Sequence, residues 1–137
     1  MIVDTSAILA VLFGEPDRQR YAAALQAAPR RRMSVANALE ATIVAERRGG
    51  APAGVDLERF FERFGIEPEP VTTEQLAAAR RAWRRFGKGN HPAGLNFGDC
   101  FAYALAEATG EPLLFKGADF ALTDVAAALA EDGAGGP

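Results

Sequence analysis

Asp4, Glu40, Asp99 and Asp119 are the residues of this chain whose types and placement could do chemistry. Carboxylates are hard oxygen ligands and suit Mg²⁺ or Mn²⁺. Zinc favours nitrogen and sulfur donors, and the chain has only one histidine, His91, and one cysteine, Cys100. Mg²⁺ keeps several waters and borrows phosphate oxygens from its substrate, so a few carboxylates suffice to hold it. An ion held in this way makes a water more acidic and a better nucleophile toward phosphorus, and a second ion, if present, stabilises the leaving oxygen. Phosphodiester hydrolysis is therefore the chemistry these acids could support. No rival nucleophile stands out. Cys100 falls within an apolar helix pattern, and His91 lies in a loop with no nearby acid.

Singly, each acid has an ordinary reading. Asp4 could cap a helix that starts at Thr5. Glu40 could sit at the rim of an apolar stripe with its tip in water. Asn96 and Asp99 have the spacing of a capping box, with Asp in place of Glu or Gln. Asp119 and its neighbour Asp124 could be turn acids. Joint placement sets the acids apart, and the elements that carry them decide that placement.

Residues 1–3 read as a short buried strand ending at Asp4. Thr5 and Ser6 then offer helix caps before the apolar run 7–13. Asp17 caps a second helix to about residue 28. The arginine run at 30–32 reads as a solvated turn. Ser34 starts the next helix, where Val35, Leu39 and Ile43 recur every four residues and Ala36, Glu40 and Val44 form the adjacent row. A carboxylate among apolar neighbours is costly unless a metal ion or an arginine compensates it. Arg47, Arg48, Gly49 and Gly50 predict the end of that helix. A short amphipathic helix is predicted over 56–64, with Leu57, Phe60, Phe61 and Phe64 on its apolar side. Thr72 or Thr73 caps a helix to about residue 86. Residues 87–95 are the longest loop, and a helix follows from 98 to about 109, closed by Gly110. Residues 112–115 predict a second buried strand and 123–125 a third. Residues 1–130 read as a single domain, and the glycine-rich end at 131–137 as a flexible tail.

Apolar strands alternating with helices predict a parallel sheet covered on both faces. Ligands of such sheets bind at the carboxyl ends of the strands. Asp4 and Asp119 follow strands, while Glu40 and Asp99 ride on helices that should pack against the sheet. The chain has 137 residues, 49% hydrophobic and 24% charged, which is a globular composition. A lone cysteine allows no internal disulfide and fits a reducing compartment, so a cytoplasmic location is expected. No signal-peptide pattern is seen, and no apolar run approaches the ~20 residues of a membrane span.

Four segments carry a resemblance. They are Met-Ile-Val-Asp-Thr-Ser-Ala at 1–7, Ser-Val-Ala-Asn-Ala-Leu-Glu at 34–40, Asn-Phe-Gly-Asp-Cys-Phe-Ala-Tyr-Ala-Leu-Ala at 96–106, and Leu-Leu-Phe-Lys-Gly-Ala-Asp-Phe at 113–120. In order and spacing the chain resembles PIN-domain ribonucleases, and among them the VapC toxins of bacterial VapBC toxin–antitoxin modules. The resemblance implies an α/β fold, the PIN-like three-layer α/β/α sandwich with a short parallel sheet. It implies the toxin of a type II system, a Mg²⁺-dependent endoribonuclease acting on tRNA or rRNA, with Mn²⁺ able to substitute. By motif match, Asp4 and Asp99 are the main metal ligands. Glu40 completes the site directly or through water, and Thr5 and Ser6 stand beside it as further candidates. A homodimer inhibited by a VapB antitoxin is also implied. One departure concerns the fourth acid. Many relatives carry an acid two residues before the Asp-Phe pair, where this chain has Gly117. The role falls to Asp119, with Asp124 in reserve, and whether one metal or two would bind stays open.

Net charge is −3, yet residues 75–98 contain no Asp or Glu while holding Arg80, Arg81, Arg84, Arg85, Lys88 and His91. The four arginines fall at i, i+1, i+4 and i+5, which makes a two-column basic stripe on one helix side. With Lys88 it could position an RNA backbone or meet an acidic antitoxin. Trp83 and Phe86 read as core or dimer contacts. Leu9, Leu12, Phe13, Leu57, Phe60, Phe61 and Phe64 supply apolar helix surface, some of it for the core and the rest for a dimer or antitoxin groove. Two rival readings are a phosphotransfer domain of the response-regulator type and a degenerate domain that only binds antitoxin or RNA. The first needs an acidic pair near the N-terminus, where Asp4 is single. The second is disfavoured by the intact Asp4, Glu40 and Asp99.

Overall fold

The structure, a computed structural model, describes residues 1–130, so the tail expected at 131–137 lies outside the described residues. Four short strands, β1 (Ile2–Val3), β2 (Arg31–Ser34), β3 (Ile66–Glu69) and β4 (Leu113–Leu114), pair in parallel in the order β3-β2-β1-β4. The helices are α1 (Thr5–Leu12), α2 (Arg18–Ala27), α3 (Val35–Phe64), α4 (Thr73–Phe86) and α5 (Phe97–Thr109).

Side chains alternate across a strand, and here the alternation builds two cores. Val3, Met33 and Leu114 face one side, where they join Ile8, Leu25, Ala41, Ala45 and Leu57 of α1–α3. Ile2 and Leu113 face the other, against Ala82, Phe86, Tyr103 and Leu105 of α4 and α5. The result is the three-layer α/β/α sandwich expected from the sequence. Register puts Ile2 beside Leu113 and Val3 beside Leu114. The ladder runs one step further, the Asp4 N–H donating to the Leu114 carbonyl at 2.9 Å. Asp4 therefore stands at the carboxyl edge of the sheet, the edge where ligands bind in such folds.

Several sequence expectations need correction. The arginine run at 30–32 is not a solvated turn, because Arg31 and Arg32 open β2. Arg31 donates to the carbonyls of Leu25 and Ala28 at the end of α2 (2.6 and 2.7 Å), and Arg32 pairs with Glu111 and Glu69. Edge strand β3 went unread because Ile-Glu-Pro-Glu has one apolar residue and a proline, which an edge tolerates. Gly50 (φ 71°, ψ −172°) breaks α3 without ending it. The helix resumes at once, ahead of the predicted start at 56, with Pro52 in the first turn where a missing N–H costs nothing. Residues 123–125 form no strand. They follow the 3₁₀ turn Phe120–Leu122, and β4 instead gains an isolated bridge from Leu113 to Ala127.

The row on α3 that faces the sheet is Asn37, Ala41 and Ala45, all fully buried. Small side chains let the helix lie close to its neighbours. The bulkier row of Val35, Leu39 and Ile43 is exposed (43%, 61% and 44%).

Candidate metal centre and the basic face

Each acid arrives by its own element. Asp4 ends β1 and caps α1, its Oδ2 accepting from the Ser6 N–H at 3.0 Å and the Ser6 hydroxyl at 2.6 Å. Capping and site duties therefore coexist in one carboxylate. The Ser6 hydroxyl itself accepts from the Lys116 N–H at 2.9 Å, so its hydrogen is directed to Asp4. Asp4 is only 4% exposed. Burial pushes its carboxyl above the ordinary value, against the pull of the Ser6 bonds, and the charge of Glu40 raises it further.

Glu40 lies one turn into α3. Its Oε1 accepts from the Thr5 hydroxyl at 2.6 Å and from Asn37 Nδ2 at 3.3 Å. Asn37 Nδ2 also donates to the Gly98 carbonyl at 2.9 Å, which ties α3 to the first turn of α5. Asp99 forms the expected capping box. Its N–H donates to Asn96 Oδ1 at 2.9 Å, and its Oδ2 accepts from the Asn96 N–H at 3.0 Å. Its carboxyl is pushed up to about 7, first by burial, then by the charges of Asp4, Asp119 and Glu40, against the pull of the Asn96 bond. Asp119 is exposed, at the start of the 3₁₀ turn.

The fold thus brings Asp4, Glu40 and Asp99 together with Asp119 close enough to be felt, and no Lys or Arg among the described residues forms an ion pair with any of the four. Mutually repelling, partly buried carboxylates without a compensating charge fit a divalent cation. Among the described residues, no three His, Cys, Asp or Glu side chains form a ready-made cage.

Asp124 points elsewhere. Its carboxylate accepts from the Tyr103 hydroxyl at 2.5 Å and pairs with Arg85 at 3.2 Å. Lys116 pairs with Glu15 and Asp17 (2.8 and 2.9 Å). These pairs push its ammonium up to about 12. Gly117 has φ +105°, a conformation that L side chains rarely adopt, so the turn that departs from the family pattern resists an acid there. Cys100 is buried in α5. His91 accepts from the Ala93 N–H at 3.0 Å and stacks edge-on with Phe86, away from any acid bond.

The basic stripe splits by column. Arg81 pairs with Glu107 at 2.8 Å and Arg85 with Asp124. Arg80, Arg84 and Lys88 are exposed and make no ion pair with a described residue. Phe86 is core, whereas Trp83 is 45% exposed and lies outside it. Trp83, Arg80, Lys88, Asn96 and Phe97 line one apolar groove beside the Asp99 turn. Sequence reasoning passed over Asn37. Its signal was a lone polar residue in an otherwise small, apolar helix row.

Residues 1–126 match the PIN domain family. "Ribonuclease VapC" of Mycolicibacterium smegmatis is 51% identical over 127 residues, covering 93% of this chain and 98% of the relative. "Ribonuclease VapC30" of Mycobacterium tuberculosis is 49% identical over 126 residues, covering 92% and 96%. Among solved structures, the Mycobacterium tuberculosis VapC20 toxin, described as cleaving the sarcin–ricin loop, superposes with a TM-score of 0.72 at 20% identity, over 90% of this chain and 95% of that one. A toxin–antitoxin complex from Klebsiella pneumoniae gives 0.64 at 18%, over 90% and 92%.

Proposed function

The chain belongs to the PIN-domain family, among the VapC ribonucleases, and from that premise we propose that Asp4, Glu40, Asp99 and Asp119 hold divalent metal for RNA hydrolysis. The chain is an endoribonuclease, the toxin of a toxin–antitoxin pair. The observation that carries the site reading is the convergence of Asp4, Glu40 and Asp99, with Asp119 near them and no ion pair from a described Lys or Arg to any of the four; burial and the other three acids push the Asp99 carboxyl up to about 7.

Asp4 and Asp99 are the main ligands, with Glu40 binding directly or through water. The metal is Mg²⁺, with Mn²⁺ as substitute. When bound, it supplies charge that stabilises the phosphorane-like transition state and acidifies a water. The residues of the chain do the rest. Ser6 and the Lys116 N–H fix the Asp4 carboxylate, Thr5 and Asn37 fix Glu40, and Asn96 fixes Asp99. Arg80, Arg84 and Lys88 seat the phosphates of a tRNA or rRNA segment beside the acids.

The partner is a VapB-type antitoxin. The exposed row Val35, Leu39 and Ile43 supports a homodimer, since contiguous apolar surface of this kind marks protein contacts. No described helix is long and apolar enough to cross a membrane. The test is cleavage of RNA by antitoxin-free protein. Wild type should cut with Mn²⁺ and stop in chelator, and Asp4→Asn should not cut. Wild type that stays inert with metal refutes the reading.

A further inference from the structure

The first turn of α5 carries a glycine where a helix would prefer alanine, and the space beside it is already taken. A Cβ on Gly98 would lie 1.9 Å from Glu40 Oε2 and 2.6 Å from its Cδ. The contact is with the carboxylate itself, so Glu40 rests its head on the bare Cα of Gly98. Asn37 completes the arrangement. It is fully buried, and its Nδ2 donates both to Glu40 Oε1 (3.3 Å) and to the Gly98 carbonyl (2.9 Å). Both partners are acceptors, which fixes the amide with Nδ2 toward them. Asn37 Oδ1 is buried without a hydrogen-bond partner. A buried orphan acceptor is costly, and a residue selected only for packing would not carry one.

We propose that Asn37 and Gly98 are positioning residues for the metal centre: Gly98 leaves the space that the Glu40 carboxylate occupies, and Asn37 ties that carboxylate to the helix bearing Asp99. This rests on the reading of Glu40 as part of the metal site. Oε1 is held by Thr5 and Asn37, and Oε2 is held against α5. The separation of Glu40 from Asp99 is then set by backbone contact and one amide, not by rotamer choice on an exposed helix. A methyl group at 98 would evict the carboxylate while leaving the helix backbone satisfied.

Gly98→Ala separates this role from a general structural one through Mn²⁺ affinity read beside stability. Alanine is the better helix former by roughly 1 kcal/mol, which offsets the hydrogen bonds from Thr5 and Asn37 that the displaced Glu40 gives up. In chelator, Gly98→Ala should therefore melt near wild type. By calorimetry its Mn²⁺ affinity should fall about 10–100-fold, the usual cost of disturbing the groups that orient a metal ligand. RNA cleavage at limiting Mn²⁺ should fall with it and recover at high Mn²⁺. Asn37→Ala should weaken Mn²⁺ binding in the same direction. In a Glu40→Ala background, Gly98→Ala should change Mn²⁺ affinity by less than about twofold, since the carboxylate it displaces is gone. Wild-type Mn²⁺ affinity in Gly98→Ala overturns the inference alone. Wild-type protein that binds no Mn²⁺ overturns the metal-site reading and this inference with it.

Discussion

Replacing Asp99 by Asn should stabilise the metal-free chain, by an amount that grows as pH rises above the ordinary carboxylate value of 3.8. The Asp99 carboxyl rises from 3.8 to about 7 on folding, with burial the largest cause and the neighbouring acids next. A raised carboxyl pKa means that the folded state holds the proton more tightly. The group's contribution is most favourable below the unfolded pKa and is lost as pH rises through about 7. Roughly three units at 1.36 kcal/mol each set a ceiling near ~4 kcal/mol for the penalty of ionising Asp99 in the fold. The side chain is only partly buried, so solvent screening brings the expected value to about 1–2 kcal/mol. Asparagine keeps an oxygen to accept the Asn96 N–H, so the capping box survives and the charge alone is removed. Urea unfolding in chelator should show Asp99→Asn near wild type at pH 3.5 and more stable at pH 8.5, on the order of 4–8 °C in a parallel melt. Saturating Mn²⁺ should reverse the order, because only wild type binds the ion well and gains about 2.7 kcal/mol at a hundredfold excess over Kd. A variant equal to or below wild type at pH 8.5, or a difference independent of pH, would refute the claim that uncompensated charge is held at this site.

The two candidates for the fourth acid separate cleanly. Asp119→Asn should lower Mn²⁺-dependent cleavage about 10-fold or more, whereas Asp124→Asn should leave cleavage near wild type, since Asp124 is engaged by Tyr103 and Arg85. Neutralising Arg80, Arg84 or Lys88 should weaken RNA binding across sequences and reduce the salt slope by about 0.7–1 per residue, measured by fluorescence anisotropy. Neutralising Arg81, already paired with Glu107, should change the slope less. Leu57→Ala, at a site 1% exposed in the α1–α3 core, should cost about 2–5 kcal/mol in chemical denaturation without altering the metal requirement of the remaining folded protein.

Local chemistry was legible at five helix ends, though not at Asp17, whose side chain makes no cap hydrogen bond and pairs with Lys116, nor at Gly50, which α3 runs past. The caps at Asp4, Ser34, Thr72 and Asn96 and the glycine stop at Gly110 follow from short-range hydrogen bonding and φ preference, and all five form. Strand β1 ending at Asp4 and strand β4 before the Asp119 turn were readable because buried parallel strands are continuous apolar runs. Strands β2 and β3 were not, because Arg32 and Glu69 are accommodated by partners distant in sequence, Glu111 among them. The sequence by itself determined which acids could work together and which helices carry them. Only the tertiary structure decided which face of α3 meets the sheet, that Asp124 turns away to Tyr103, and that Glu40 rests on Gly98 under the hold of Asn37. These last depend on contacts between α3 and α5, some sixty residues apart, and no local pattern encodes the close approach of one carboxylate to one missing side chain.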